Sequence, residues 1–317
     1  MTTSATDEGT ALPRFRDSAF PRPAWPAVWW RALRPHSFTA SVTPVFVGAA
    51  AAFHDGHLDA VPFLVTLVAA VAIHAGTNLA NDYYDHVRGV DTLESPGPSG
   101  VIQQGLLPAR QVLTAALLAF AVGGVLGLYL VSIRGWAVLL LGLLGVLAGF
   151  AYTGGPLPLG YVGLGDFVVF AFMGMAIVLG TFFVMTGGLS ATAVWAALPV
   201  AALVTAILVV NNLRDIDEDR AAGKRTLATF LGEKATRIEF LLLIVAAYVA
   251  VVAGIVFGAL PYQAGVVFVT LPRTVRLWQA VRTEADRRQL TMMGLRGSAR
   301  LHLNFGLLLA AAFLVSR

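Results

Sequence analysis

The sequence contains no cysteine, so neither a disulfide framework nor thiol chemistry is open to it. Charge is scarce as well. Asp, Glu, Lys and Arg make up 13% of the 317 residues, about half the share usual in soluble domains, while 57% are hydrophobic. A mean hydropathy of +0.75 leaves too little polar surface to cover a water-soluble globule. That scarcity excludes a soluble enzyme, a disordered chain and a nucleic-acid binder. It points to an all-α, polytopic membrane protein. Residues 1–25 also lack the apolar core of a secretory leader, carrying Asp7, Glu8, Arg14, Arg16 and Asp17 instead. Residues 1–28 are therefore expected to form a flexible cytoplasmic tail and 29–317 a transmembrane domain.

What is abundant is apolar runs near the roughly 20 residues needed to cross a bilayer. Nine are expected, at about 37–54, 60–80, 111–132, 135–153, 164–187, 190–211, 238–257, 259–272 and 301–316. Pro44 interrupts the first, and Pro261 and Pro272 bracket the short eighth, where kinks or re-entrant turns are expected. Threading nine spans puts 20 of the 22 basic residues on one face and leaves Arg134 and Arg317 for the other. That asymmetry places the N-terminus in the cytoplasm of a multi-pass inner or plasma membrane protein.

Two acidic motifs stand on the basic side. The second span runs into Asn78, Asn81, Asp82, Asp85, Arg88, Gly89 and Asp91; the sixth runs into Asn211, Arg214, Asp215, Asp219, Gly223, Lys224 and Arg225. Both contain N-x-x-x-D, and they lie 133 residues apart, as an internal two-fold repeat would place them. Spacing of four sets Asn81 with Asp85, and Asn211 with Asp215 and Asp219, on one helical face, where carboxylates repel unless a cation intervenes. Mg²⁺ is a natural partner, since it takes one or two carboxylates plus phosphate oxygens and water. Two such sites facing each other would hold a diphosphate, with Arg88, Arg214, Lys224 and Arg225 helping to neutralise it. Solvated acidic loops are common. Two matching ones, each opening with asparagine inside an apolar span, are not.

These residues resemble the UbiA-type intramembrane aromatic prenyltransferases, nine-helix bundles with N-D-x-x-D after the second helix and D-x-x-x-D after the sixth. Here those read Asn81-Asp82-x-x-Asp85 and Asp215-x-x-x-Asp219. Many members carry a further aspartate four residues after the one matching Asp85; Gly89 stands there, and Asp91 follows. That form is similar to the menaquinone branch. So are the entry segment Arg34-Pro35-His36-Ser37-Phe38 and the stretch from Tyr152 to Asp166. The likeness covers roughly 29–317.

The resemblance implies Mg²⁺-dependent transfer of a polyprenyl group from its diphosphate to 1,4-dihydroxy-2-naphthoate, with loss of CO₂. Asp85, Asp215, Asp219 and Lys224 are the implied catalytic groups, and Asn81, Asp82 and Asp91 join the three aspartates as metal ligands. Arg225 would grip phosphate beside Lys224, with Asn78, Asn211, Arg88 and Arg214 also on the substrate side. Tyr83 and Tyr152 are candidates to stabilise an allylic cation through their ring faces, whereas Tyr84 and Tyr161 read as interfacial anchors. Arg34, His36 and Ser37 are candidates for the acceptor, and His74 reads as a satisfied bundle residue. Asp166 reads either as a helix cap or as a base orienting the acceptor hydroxyl. The glycines of 123–124 and 142–149 read as close helix packing, and 273–300 as an amphipathic helix on anionic headgroups. Two alternatives stay open: a different acceptor such as 4-hydroxybenzoate or homogentisate, and a repeat-containing cation or substrate transporter.

Overall fold

The computed structural model describes residues 23–92 and 98–317. Ten principal helices carry the chain: α1 Trp25–Leu33, α2 Thr39–His54, α3 Ala60–Val87, α4 Ala109–Arg134, α5 Trp136–Ala151, α6 Gly165–Thr186, α7 Ala191–Arg214, α8 Glu233–Val256, α9 Leu271–Thr283 and α10 Arg287–Val315. Helix α1 begins ahead of the expected domain boundary at 29. The stretch 1–22 of the expected tail lies outside the described residues.

Six of these helices (α3, α4, α6, α7, α8 and α10) are long and apolar enough to cross a membrane. A seventh span arises if Trp25–Ser37 and Thr39–His54, bent by 48°, count together. Every run expected from the sequence is helical, but the count by length falls short of nine. Helix α5 has 16 residues, and the eighth run breaks into a 3₁₀ segment, Tyr262–Thr270, before α9 takes over with Pro272 in its first turn. Proline in the first turn costs nothing, because its missing N–H would have been unsatisfied there.

Local chemistry sets the ends. Asp59 caps α3 by accepting from the Val61 amide at 3.1 Å, and Ser190 caps α7 by accepting from Ala193 at 3.2 Å. Helix α7 is the central strut, with 72% of its most apolar window buried, whereas α4 and α5 expose Leu118, Val125, Leu128, Leu143 and Leu147 outward. Side chains that apolar and that exposed fit a lipid surrounding.

Small residues let the inner helices approach. A Cβ at Gly174 would strike Ala201, and one at Gly306 would strike Thr43. Gly123 against Ile73 and Gly149 against Thr77 pack in the same way, but Gly124, Gly142 and Gly145 face open space. The segment 273–300 is likewise not one surface helix. Leu277 and Val281 of α9 are buried in the main core, and the chain then breaks before α10 begins the last span. Burying those two apolar side chains draws α9 onto the bundle rather than leaving it on its surface.

Candidate active site

Both acidic motifs close on a glycine turn, the first at the end of α3 and the second after a short helix, Ile216–Ala221, that follows α7. Gly89 adopts φ +69°, a left-handed turn open to glycine, and the Asp91 amide then bonds back to the Asp85 carbonyl at 3.2 Å. Gly223 adopts φ +71°, and the Lys224 amide bonds back to the Asp219 carbonyl at 2.8 Å. The second turn sets the Lys224 ammonium 3.3 Å from Asp219 Oδ1, and the first brings Asp91 within the field of Asp85. The glycine that departs from the common family pattern thus has a structural role.

The two motifs meet through the loop between α5 and α6. The Tyr161 hydroxyl donates to Asp85 Oδ1, and the Lys224 ammonium lies 5.2 Å from the Tyr161 ring centroid and 3.3 Å from Asp219 Oδ1. The Arg225 amide donates to the Tyr161 carbonyl at 3.0 Å, tying this loop to the second motif by backbone. An unbroken path of contacts, Asp85–Tyr161–Lys224–Asp219, therefore joins the halves. Tyr161 is no mere interfacial anchor.

Electrostatics follow from that crowding. Burial pushes the Asp91 carboxyl up to about 7, with Asp85 and Asp215 adding to the shift and Arg34 and Lys224 opposing it. Burial also raises Asp219, helped by Asp215 and Asp85 and resisted by Lys224. Burial alone would lower Lys224, but Asp219, Asp85 and Asp215 outweigh it and raise the ammonium. Burial likewise raises Tyr161, with the Asp85 carboxylate beside it adding further.

Asp82 and Asp215 are already paired. Asp82 forms an ion pair with Arg34 and accepts from Ser99 Oγ, both partners being buried. Arg34 also donates to Asn81 at 3.4 Å and is the one non-glycine with positive φ, +54°, among the described residues. Asp215 is gripped by the Arg214 fork at 2.7 and 2.5 Å and by Arg287 at 2.8 Å; against the upward push of burial these hold its carboxyl below the usual range. Arg214 also donates to Asn211 at 3.0 Å.

Several expected substrate contacts are committed elsewhere. Arg88 donates to the carbonyls of Thr153 and Gly155 and so braces the loop between α5 and α6. Asn78 donates to the Leu33 carbonyl at 3.1 Å and to Ser37 Oγ at 3.0 Å. His74 sits 3.3 Å from Ser37 Oγ and 2.6 Å from Ser41 Oγ, so Asn78, Ser37 and His74 together pin the entry segment. His36 and Arg225 are exposed. Tyr83 packs edge-on with Tyr84 against the apolar cluster that includes Val28 and Leu79.

Tyr152 is placed differently. Gly160 packs on its ring, its amide bonding the Tyr152 carbonyl at 2.9 Å, and Gly165 lies at its hydroxyl. Asp166, next along, is not the cap, since Leu164 holds that position and Asp166 falls in the first turn. Its carboxylate is 8% exposed, and Oδ1 has no hydrogen-bond partner. A buried oxygen left unpaired costs about 1–3 kcal/mol unless something fills it.

The donor set suits Mg²⁺. Asn81 Nδ2 donates to Asp85 Oδ2 at 2.9 Å, Asp219 Oδ2 is buried without a partner, and Asp85, Asp91, Asp215 and Asp219 lie within one another's field. Among the described residues no three His, Asp or Glu side chains already converge on one point. A hard cation that takes few protein ligands and fills its shell with phosphate and water matches such a set.

The UbiA prenyltransferase family model matches residues 41–313. A *Bacillus subtilis* relative named 1,4-dihydroxy-2-naphthoate octaprenyltransferase is 34% identical over 290 residues, 91% of this chain and 93% of the relative. A *Mycobacterium tuberculosis* relative of the same name is 36% identical over 217 residues, 68% of this chain and 73% of the relative. The solved structure of a UbiA homolog from *Archaeoglobus fulgidus* bound to GPP and Mg²⁺ superposes with a TM-score of 0.63 at 16% identity. It covers 90% of this chain and 99% of its own, a likeness of fold.

Proposed function

Since the chain belongs to the UbiA prenyltransferase family, we propose that it transfers a polyprenyl group from a polyprenyl diphosphate to 1,4-dihydroxy-2-naphthoate, releasing diphosphate and CO₂. The reading places this membrane enzyme's centre at the cytoplasmic face, supported by the 20 of 22 basic residues assigned to that side. The observation that carries it is the contact path Asp85–Tyr161–Lys224–Asp219. It sets one ammonium among carboxylates of both motifs at the end of a lipid-facing bundle, where a charged headgroup must meet an apolar tail.

Asn81, Asp85, Asp91 and Asp219 would hold Mg²⁺, with Asp215 joining once Arg287 gives way. When bound, the metal supplies Lewis-acid stabilisation of the charge that develops on the departing diphosphate. Lys224 adds a fixed cation aimed at the same oxygens, and its position costs no reorganisation during the reaction. Tyr161 orients Asp85 by its hydrogen bond. The Arg34 charge neutralises Asp82, so that this carboxylate holds the entry segment to α3 rather than repelling the phosphates. Tyr152 offers a ring face to the allylic carbon, and Asp166, with its unpaired oxygen, receives the acceptor hydroxyl.

Purified protein with Mg²⁺, a polyprenyl diphosphate and carboxyl-labelled dihydroxynaphthoate should release labelled CO₂ and form a prenylated product. Prenylation of 4-hydroxybenzoate or homogentisate in place of dihydroxynaphthoate would overturn the acceptor assignment.

A further inference from the structure

We propose that Arg287, at the start of α10, is a further donor-binding side chain, parked on Asp215 and Glu218 until metal and diphosphate arrive and then turned onto the diphosphate. The inference rests on the prenyl-transfer reading above and adds a group that neither acidic motif contains.

Charge is unevenly shared across the second motif. Asp215 carries two guanidinium groups, from Arg214 and Arg287, although a single bidentate arginine already meets both of its oxygens. Asp219, one turn on, has Lys224 alone at 3.3 Å and a buried oxygen with no partner. Arg287 is shared with the Glu218 carboxylate, so its bond to Asp215 goes beyond what the two oxygens there need. An incoming diphosphate is the ligand that uses this guanidinium.

The two arginines differ in freedom. Arg214 is the last residue of α7, is 13% exposed and is tied to Asn211, so it stays. Arg287 is 49% exposed and bonds only through its guanidinium among the contacts described for its side chain, to Asp215 at 2.8 Å and to Glu218 at 2.6 Å. Beside it lies a cavity of about 120 Å³ lined by Arg214, Glu218, Glu233, Arg237, Arg287 and Leu290, among others. That space gives a long side chain room to change partners.

The backbone beneath Arg287 is anchored. Arg237 donates to the carbonyls of Val281 and Glu284, Glu284 Oε1 accepts from the Ala285 and Asp286 amides at 3.0 and 2.9 Å, and Asp286 Oδ1 accepts from Gln289 at 2.8 Å. The movement is accordingly a side-chain swing from a fixed base. A partly exposed ion pair held by rotatable side chains contributes little to stability, so breaking it presents a small barrier to exchange.

The test is calorimetric titration of the full chain in detergent with Mg²⁺ alone and with inorganic pyrophosphate at saturating Mg²⁺, without any turnover. Arg287→Gln should bind pyrophosphate at least tenfold more weakly, while Mg²⁺ alone binds as tightly or several-fold more tightly, because a competing cation has left Asp215. Glu218→Gln should shift pyrophosphate binding the other way, to tighter, by loosening the parked state. Equal weakening of both ligands by Arg287→Gln, or pyrophosphate affinity within twofold of wild type, overturns the role of Arg287 alone. Wild-type protein that binds no pyrophosphate with Mg²⁺ overturns the prenyl-transfer reading, and this inference with it.

Discussion

Arg34 tests whether the first motif is built as the structure shows. Its guanidinium is buried against Asp82, which also takes the Ser99 hydroxyl, so neither charge has water to fall back on. Removing one partner of a buried pair leaves the other uncompensated and costs about 3–5 kcal/mol. Arg34→Ala should therefore lower the thermal midpoint in detergent by on the order of 10 °C. The backbone adds a second, separable cost. Arg34 sits at φ +54°, where a residue with a Cβ pays about 1–2 kcal/mol and glycine does not. Arg34→Gly should thus be less destabilised than Arg34→Ala by about 1 kcal/mol, although it removes the same charge. Replacing Asp82 by Asn in the Arg34→Ala background should recover most of the loss, since no charge then remains buried alone. The measurement is a set of unfolding curves for the single and double variants. An Arg34→Ala midpoint equal to wild type, or a double variant no better than the single, refutes the buried pair.

Tyr161→Phe keeps the ring over Lys224 but removes the hydrogen bond to Asp85; a charge-assisted bond of this kind is worth about 1.5–3 kcal/mol, so kcat/KM for the donor should fall at least about tenfold. The pH dependence follows from Asp91, whose carboxyl is raised to about 7. Because its folded-state value lies above the usual one, the stability it contributes is present at low pH and is lost as pH rises through about 7. Mg²⁺ needs the ionised form, so its affinity should rise over the same window with proton release, seen as a buffer-dependent titration heat that Asp91→Asn abolishes. Asp166→Asn should raise the acceptor KM while leaving pyrophosphate binding with Mg²⁺ unchanged; equal loss of both would move Asp166 to the donor side.

Much of the molecule was readable from spacing. Apolar runs located the helices, and a four-residue period on apolar spans marked Asn81, Asp85, Asp215 and Asp219. The span count was less readable, because length alone does not separate a 16-residue apolar helix or a 3₁₀ stretch from a full crossing. The motifs also did not reveal which carboxylates are free. Asp82 and Asp215 look like their neighbours in sequence, yet each is met by an arginine from a distant segment, Arg34 or Arg287. Tyr161 sits in a proline- and glycine-rich loop without periodicity, so its aim at Asp85 is set by the backbone bond to Arg225. Ser37 and Asn78 have the right chemistry for a substrate, but their hydrogen bonds close on one another and on the chain. Residue type announces capacity; only packing reveals what has already used it.

The most direct measurement of the central claim is an experimental map of the protein with Mn²⁺ and a non-hydrolysable prenyl thiodiphosphate. Metal density against Asp85 and Asp219, with the diphosphate reaching Lys224 and the chain running between the helices, is the expected result. Diphosphate bound away from both motifs, or metal on one motif with the other left in its present contacts, would contradict a single centre shared by the two halves.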